Sequence, residues 1–187
     1  MPRCFAFLRA VNVGGRVVTM SLLRRLFESA GCSNVETFIA SGNVVFDTTS
    51  TSTRRLEQRL EKTLLAEVGF GVTVFVRTES ELADIARHRP FPQRLLDQAA
   101  ALNVGFLADA PDVNAARKVM ALRTDIDDLY VHGREVYWLC RKKQSESSVS
   151  NATLERALGG RSTMRGIRTI EKMAAKYLRA TGTMKRS

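Results

Sequence analysis

Two short polar segments of the sequence carry side chains that bind anions. Arg9 and Asn12 precede the double glycine Gly14-Gly15, and the segment Ser41-Gly42-Asn43 follows later in the chain. Together they offer a guanidinium, amides, a hydroxyl and flexible backbone, which orient a phosphate or a carboxylate through charge-assisted hydrogen bonds. The segments contain no carboxylate pair, no Ser-His-Asp set and no Cys beside a His. They therefore predict binding of an anion rather than acid–base or nucleophilic catalysis.

The double glycine has a second interpretation. The segment NVGGRVVTM matches neither G-x-G-x-x-G nor G-x-x-x-x-G-K-[ST], the two specific phosphate-loop patterns. Glycine also adopts the positive φ angles with which a chain leaves a strand. Gly14-Gly15 are therefore either part of an anion site or turn residues only.

The end of the chain is strongly basic. Of a formal net charge of +10, most lies in residues 141–187, which hold 12 Lys and Arg against 3 Asp and Glu. Clustered cations bind polyanions because they replace condensed counterions, although a solvated basic surface has the same composition. Arginines and hydroxyls also surround the start of the last predicted helix, where free N–H groups favour an anion. The predicted anion-binding residues here are Thr163, Arg165, Arg168, Lys172 and Lys176, and Arg179 continues the stripe formed by the two lysines.

Hydrophobic periodicity predicts the elements that position these residues. The first part of the chain predicts strand, helix, two strands, helix and strand at 4–10, 20–31, 35–40, 43–47, 54–69 and 72–77. Thr19 is a suitable N-cap for the first helix, and Ser41-Gly42 is typical of a tight hairpin turn. The order βαββαβ is that of a ferredoxin-like fold.

The second part predicts a similar but incomplete order. After a helix at 81–89, the pattern gives a strand at 101–108, a helix at 112–123, a hairpin at 128–132 and 135–141, and helices at 152–160 and 170–182. Thr169 is the predicted cap of the last helix. The predicted fold class is α+β with two subdomains. Residues 1–77 form a ferredoxin-like subdomain, and residues 78–187 form a degenerate α/β plait, β-α-β-β-α-α, with basic C-terminal helices.

This topology brings the first two polar segments together. In a ferredoxin-like sheet of order 4-1-3-2, strands 1 and 3 are antiparallel neighbours, so the end of one meets the start of the other. We therefore expect Arg9 and Asn12 to face Ser41-Gly42-Asn43, with Gly14-Gly15 between them and the first helix.

Aromatic residues on the same strands raise the possibility of nucleic-acid binding. Phe5 and Phe7 share a strand face by alternation, and Phe46 lies on the third strand. RNA-recognition plaits stack bases on such aromatics, but SGNVVFD lacks the basic start and paired aromatics of the RNP1 pattern. The alternative is that these side chains are core, beneath a helix layer or beneath the second subdomain.

The remaining composition predicts a cytoplasmic protein without metal, cofactor or membrane contact. Cys4, Cys32 and Cys140 are far apart and lie in apolar surroundings, which is typical of core thiols. His88 and His132 lack metal-ligand spacing. No apolar run approaches the roughly 20 residues of a membrane span, and the N-terminal apolar segment is too short for a secretory signal.

Several segments together resemble one protein family. FLRAVNVGG, TFIASGNVVF and TMRGIRTI resemble the bacterial family known as domain of unknown function 1697, and the resemblance extends over essentially the whole chain. It implies two α+β subdomains, the first ferredoxin-like, and it implies no activity. The family pattern falls on Arg9, Asn12, Gly14-Gly15, Ser41-Gly42-Asn43, Thr163 and Arg165. Where the family has Asn after that arginine, this chain has Gly166, and ESSVSNATLE lacks the family's glycine and lysine around Ser148.

Three functions remain compatible with the sequence. The favoured one is a non-enzymatic binding module for a phosphate-bearing ligand or nucleic acid. The second is an enzyme that acts on a small anionic metabolite at the edge formed by Arg9, Asn12 and Ser41-Gly42-Asn43. The third is a structural or self-associating protein without a ligand site. The sequence leaves the oligomeric state open.

Overall fold

The computed structural model of the protein describes residues 1–12, 14–15 and 17–178, without the side chains of Ala40 and Ser41. The N-terminal half has the order βαββαβ. Its elements are β1 (Arg3–Arg9), α1 (Met20–Ser29), β2 (Ser33–Phe38), β3 (Ala40–Asp47), α2 (Thr53–Val68) and β4 (Thr73–Thr78). The strands form an antiparallel sheet of order β2-β3-β1-β4, which is the ferredoxin-like arrangement.

Two helices lead into a second sheet of the same topology. They are α3 (Glu79–Arg87) and α4 (Gln93–Asp97). The second half then contains β5 (Ala101–Phe106), α5 (Val113–Met120), β6 (Asp127–His132), β7 (Glu135–Cys140), a 3₁₀ turn at Gln144–Glu146, α6 (Asn151–Leu158), β8 (Thr163–Gly166) and α7 (Ile167–Tyr177). Its strand order is β6-β7-β5-β8. The predicted α+β fold with two subdomains is confirmed.

The predicted order of the second half lacked one strand. Residues 163–166 form β8, which pairs with β5 and completes a full βαββαβ order. Four residues are too few for a period-two pattern to be recognised, so the sequence hid this strand. The last helix also begins at Ile167, after Gly166 as N-cap, and Thr169 lies inside its first turn instead of capping it.

The β2–β3 hairpin turns at Ile39, and the predicted turn at Ser41-Gly42 is wrong. Strand β3 already begins at Ala40, so Ser41 and Gly42 lie inside it. Ile39 has a φ of 63° and an exposed side chain. The left-handed region costs a residue with a Cβ roughly 1–2 kcal/mol. No sequence rule would place a β-branched residue at such a turn.

Each sheet is covered on its outer side by its own helices. In the first half, Phe27 of α1 and Leu60 of α2 pack with Phe46, and the rings of Phe27 and Phe46 lie 5.3 Å apart. In the second half, Val119 of α5 packs in a separate cluster with Trp138. Every one of these side chains is buried.

The inner faces of the two sheets pack against each other. Phe5 and Phe7 of β1 share one core with Phe106 of β5 and Tyr137 of β7, and residues of α3 and α7 complete it. Phe7 and Phe106 stack with ring centroids 3.9 Å apart and planes at 10°. Phe5 and Phe7 are therefore core beneath the second subdomain, the second of the two sequence interpretations.

The three cysteines are free and buried, as predicted. Within the described ranges, no helix combines the length and the apolar character that crossing a membrane requires.

Candidate functional site

The end of β1 and the start of β3 lie side by side, as the topology predicts. Phe7 is opposite Asn43 in the antiparallel register. Asn43 is buried, and its Nδ2 donates to the Phe38 carbonyl at 3.1 Å. Its Oδ1 accepts from Nε of Arg165, on β8, at 2.6 Å. The predicted N-terminal and C-terminal polar residues therefore meet at this edge.

Arg165 donates five hydrogen bonds there, which is the full capacity of a guanidinium. Besides Asn43 Oδ1, the acceptors are Thr163 Oγ1 at 2.9 Å, the Met164 carbonyl at 2.7 Å, and the Leu8 and Gly42 carbonyls at 2.9 Å each. We call this arrangement the Arg165 clamp. Burial lowers the pKa of Arg165 to about 10, so the side chain stays charged at neutral pH. The clamp ties the second sheet to the backbone of the first and leaves no N–H of this side chain for a ligand.

Arg9 is engaged in an ion pair between the two subdomains. Its Nε and Nη2 donate to the two carboxylate oxygens of Glu155, on α6, at 2.6 and 2.8 Å. Glu155 also accepts from the Ser162 backbone N–H at 2.8 Å. Burial opposes ionisation of Glu155, but the hydrogen bonds from Arg9 and Ser162 outweigh it and hold the pKa of this carboxyl below its ordinary value.

The loop after β1 is held by Asn12 and turned by the two glycines. Asn12 Oδ1 accepts from the Val18 backbone N–H at 2.8 Å. Gly14 and Gly15 have φ of 65° and 79°, are exposed, and have open space where a Cβ would stand. Their positive φ supports the turn interpretation of the double glycine.

Gly42 is needed because Arg165 approaches it closely. Its φ is 141°, and a Cβ there would lie 3.1 Å from Arg165 Nη2. The side chain of Ser41, the remaining predicted member of this edge, lies outside the described part of the chain.

Arg77 forms a second clamp that the sequence analysis missed. The Arg77 side chain on β4 is 0% exposed, and its Nε donates to Glu135 Oε1 at 2.6 Å. The other acceptors are the carbonyls of Val76 at 2.9 Å, Leu107 at 2.8 Å and Arg134 at 3.0 Å. We call this the Arg77 clamp. Alternation along VTVFVR places Arg77 on the same strand face as Phe75. A charged residue on an otherwise apolar strand face could have indicated a buried, paired arginine from the sequence alone.

The other predicted basic residues do not join the Arg165 clamp. Lys176 lies 3.7 Å from Glu36 and donates to the Tyr177 hydroxyl at 2.8 Å. Lys172 is exposed on α7, and Arg179 lies outside the described residues. Arg168 is exposed at the start of α7, where it lines a separate cleft.

This cleft, of about 480 Å³, lies where α4, β5 and the start of α7 meet. Leu96, Ala99 to Leu102 and Ile167 form an apolar wall, and Arg89, Gln93, Asn103 and Arg168 supply polar groups. We call it the Asn103 cleft. Arg89 is neutralised by Glu171, whose Oε1 lies 2.5 Å from Arg89 Nη2. Among the described residues, no carboxylate pairs with Arg168.

Asn103 and the N-terminus of α7 meet at one end of the Asn103 cleft. Asn103 is 9% exposed, and its Nδ2 is buried with no hydrogen-bond partner among the described residues. It stands opposite Gly166 in the β5–β8 register. Gly166 is the N-cap of α7, and no described side chain caps that helix. The first N–H groups of a helix have no intrahelical acceptor, and Asn103, Gly166, Ile167 and Arg168 all line the cleft at this end.

Within the described residues, no group of three or more His, Cys, Asp and Glu is arranged to hold a metal ion.

Comparison with known proteins identifies a family. Residues 1–137 match the family described as "Protein of unknown function (DUF1697)". The chain is also similar to the conserved bacterial protein SP0830 from Streptococcus pneumoniae, with a TM-score of 0.76 and 22% identity over 94% of this chain and 98% of that chain. At this identity the similarity shows the fold alone. No curated protein matches the chain. The match includes FLRAVNVGG and TFIASGNVVF, whereas TMRGIRTI lies outside the matched residues. Because the match extends over most of the chain, the chain belongs to the DUF1697 family of proteins of unknown function.

Proposed function

We propose that the protein is a non-enzymatic binding module for a small anionic ligand, and that the ligand occupies the Asn103 cleft. The observation that carries the proposal is Asn103, which stands opposite the uncapped N-cap of α7 and whose amide nitrogen is buried without an acceptor among the described residues. An unsatisfied buried donor costs about 1–3 kcal/mol. Such a group in a folded protein calls for an explanation, and a bound acceptor is one.

The electrostatics of the cleft favour a negative charge. The N-terminus of α7 carries the positive end of the helix dipole, which stabilises anions. Arg168 stands in the first turn of that helix and is exposed. A carboxylate or phosphate oxygen in the cleft would accept from Asn103 and from backbone N–H groups and would face this guanidinium.

The edge formed by Arg9, Asn12 and Asn43 is a weaker site for the same ligand. Arg9 already pairs with Glu155, and the Arg165 clamp uses every N–H of its guanidinium. A ligand there would have to break contacts that join the two subdomains. These contacts support the third sequence interpretation for this edge, in which the polar residues hold the structure together.

Nucleic acid is the competing partner, and the net charge of +10 favours it. A plait that binds RNA through its sheet needs exposed aromatics, whereas Phe5 and Phe7 are buried between the sheets. A polyanion would therefore have to bind through exposed basic side chains alone, with a steep salt dependence.

The test is a titration of ¹⁵N-labelled protein with benzoate and with phenyl phosphate, followed by NMR. We expect at least one of these probes to shift the side-chain amide of Asn103 and the backbone amides of Ile167 and Arg168. In Asn103→Leu the shifts of the Ile167 and Arg168 backbone amides should disappear while the fold is kept, because replacing an unsatisfied buried donor with an apolar group of similar size is neutral or stabilising.

Lys172→Ala is the matched control, since it removes one exposed cation from the same helix outside the cleft. It should leave the shifts unchanged. Two results would overturn the proposal. One is that neither probe moves these signals. The other is that only single-stranded RNA moves them, in a salt-dependent way, which would assign the surface to nucleic acid.

A further inference from the structure

The N-termini of α3 and α7 occupy equivalent places in the two halves. Each helix follows directly on the last strand of its sheet, α3 on β4 and α7 on β8. Their N-cap residues, Thr78 and Gly166, stand opposite Cys4 of β1 and Asn103 of β5 in the sheet registers. The two sites can therefore be compared residue by residue.

At α3 the helix N-terminus is filled by a carboxylate of the chain itself. Glu81 Oε2 accepts from the Thr78 backbone N–H at 2.8 Å and from its hydroxyl at 3.1 Å. Glu81 Oε1 accepts from Arg134 Nη2 at 2.6 Å. Burial and the nearby Glu81 charge raise the pKa of Cys4 to about 11. The Glu81 carboxylate therefore acts electrostatically on the residue opposite the N-cap.

At α7 the same position is open. Thr169 stands where α3 has Glu81, three residues after the N-cap, and it carries no carboxylate. Asn103 replaces Cys4 and adds a buried donor that has no acceptor in the described chain. Arg168 supplies a cation. The backbone N–H of Thr78, which donates to the Glu81 carboxylate at α3, has its counterpart at α7 in the N–H of Gly166, whereas Gly166 has no hydroxyl to match that of Thr78. The nearby cation also comes from a different place, from Arg134 at α3 and from Arg168 of the helix itself at α7.

One side of the cleft indicates what the carboxylate is attached to. Its wall from Ala99 to Leu102, with Leu96 and Ile167, is apolar. Because Glu171 neutralises Arg89, the charge available to the ligand is that of Arg168. One cation matches a monoanion better than the dianion of a phosphate monoester.

We infer that the ligand of the Asn103 cleft is a monocarboxylate with an apolar body, whose carboxylate takes at α7 the place that the Glu81 side chain takes at α3. This inference rests on the proposed function and specifies the chemical class of its ligand. It also predicts that a glutamate introduced at the equivalent position would compete with the ligand from within the chain.

The experiment compares three probes that share one apolar body: benzoate, phenyl phosphate and benzyl alcohol. Calorimetric titration should show benzoate binding about tenfold or more tightly than either of the others, which is the effect of one charge-assisted hydrogen bond. Thr169→Glu should raise the melting temperature of the free protein and weaken benzoate binding by about tenfold or more. Thr169→Val, which has the same size and no carboxylate, should leave the affinity for benzoate within about twofold.

The outcomes separate this inference from the proposed function. If phenyl phosphate binds more tightly than benzoate and Asn103→Leu abolishes its binding, the anion site stands and the carboxylate inference is overturned. If Thr169→Glu folds and binds benzoate as well as the parent chain does, the inference is also overturned. If benzyl alcohol binds as well as benzoate, or if no probe binds, both proposals are overturned.

Discussion

Arg77 and Arg165 donate to backbone carbonyls in opposite directions across the two facing sheets. Nη2 of Arg77 donates to the carbonyls of Leu107 and Arg134 at the second sheet, at 2.8 and 3.0 Å. Nη2 of Arg165 donates to the carbonyls of Leu8 and Gly42 at the first sheet, at 2.9 Å each.

The two guanidinium groups flank the ring pair at the centre of the interface. They lie 5.3 Å from the Phe106 ring and 5.9 Å from the Phe7 ring. Their Nε partners differ, since Arg77 has the Glu135 carboxylate and Arg165 has the Asn43 amide. Each half of the protein thus contributes one arginine that fastens the other half.

Loss of the two arginines should have unequal effects on stability. Arg77→Met leaves the Glu135 carboxylate buried without its partner, and we expect a loss of about 3–5 kcal/mol in the free energy of unfolding. Arg165→Met leaves only neutral acceptors, and we expect about 2–3 kcal/mol. Urea unfolding measures both. The exposed pair Arg25–Glu67 provides the control, because Arg25→Met should cost under about 1 kcal/mol. An equal loss in the free energy of unfolding for Arg77→Met, Arg165→Met and Arg25→Met would show that the two buried arginines stabilise the fold no more than an exposed one.

Gly42→Ala should be more damaging than Gly14→Ala. The φ of 141° and the approach of Arg165 Nη2 to 3.1 Å of a Cβ both oppose a side chain at Gly42. We expect a loss of about 2–3 kcal/mol there and of about 1 kcal/mol at Gly14, where φ is 65° and the surrounding space is open. Thermal unfolding of the two variants checks the difference. If Gly42→Ala unfolded at the same temperature as the parent chain, the close approach of Arg165 to Gly42 would not require a glycine there.

Phe7→Ala should destabilise both halves together. Its ring stacks on Phe106 across the interface, and truncation of a buried phenylalanine costs about 3–5 kcal/mol. Trp138, the single tryptophan of the chain, lies in the second half and reports on it by fluorescence. We expect the fluorescence and circular-dichroism transitions to move to lower urea by the same amount. A fluorescence transition that stays in place would mean that the halves unfold independently.

Acidification should weaken the fold through His88. The ring of His88 lies 4.3 Å from that of His132, and burial, His132 and Arg89 lower the pKa of His88. In the unfolded chain a histidine titrates near about 6.5. As the pH falls below that value the unfolded state binds its proton first, so the free energy of unfolding decreases until the pH reaches the lower pKa of the folded state.

His88→Gln isolates this contribution. The variant should show a smaller loss of stability between about pH 7 and 5.5 than the parent chain, because it lacks the group that titrates differently in the two states. Identical slopes of unfolding free energy against pH would exclude a role for His88.

Sequence periodicity was sufficient to predict the first plait and the meeting of β1 with β3. Alternation and helical spacing report burial directly, and the edge where Arg9 and Asn43 lie follows from the strand order. The hairpin turn was misplaced because Ser41-Gly42 has turn composition, whereas the glycine is required by the packing of an arginine far away in the chain. Local rules contain no information about such a contact.

The Asn103 cleft was only half predictable. Arg168 was predicted as an anion-binding residue from the basic segment and the helix start. Asn103 was not, because a single amide in the apolar strand ALNVGF has no distinctive pattern, and its importance depends on the pairing of β5 with β8. Strand β8 was itself too short to be predicted from the sequence. Arg165, Thr163 and Asn43 were predicted as anion-binding residues, but their contacts with one another and with backbone carbonyls are visible only in three dimensions. The same holds for the pairing of Arg9 with Glu155.

The repetition of one plait within a single chain has a consequence for how the protein can change. An association of two identical subunits would impose every substitution on both sides, so both helix N-termini would be closed or both open. Covalent linkage holds the halves at a high effective concentration that dilution does not lower. The two sides are then free to diverge, and Thr78 with Glu81 on one side against Gly166 with Thr169 on the other is such a divergence.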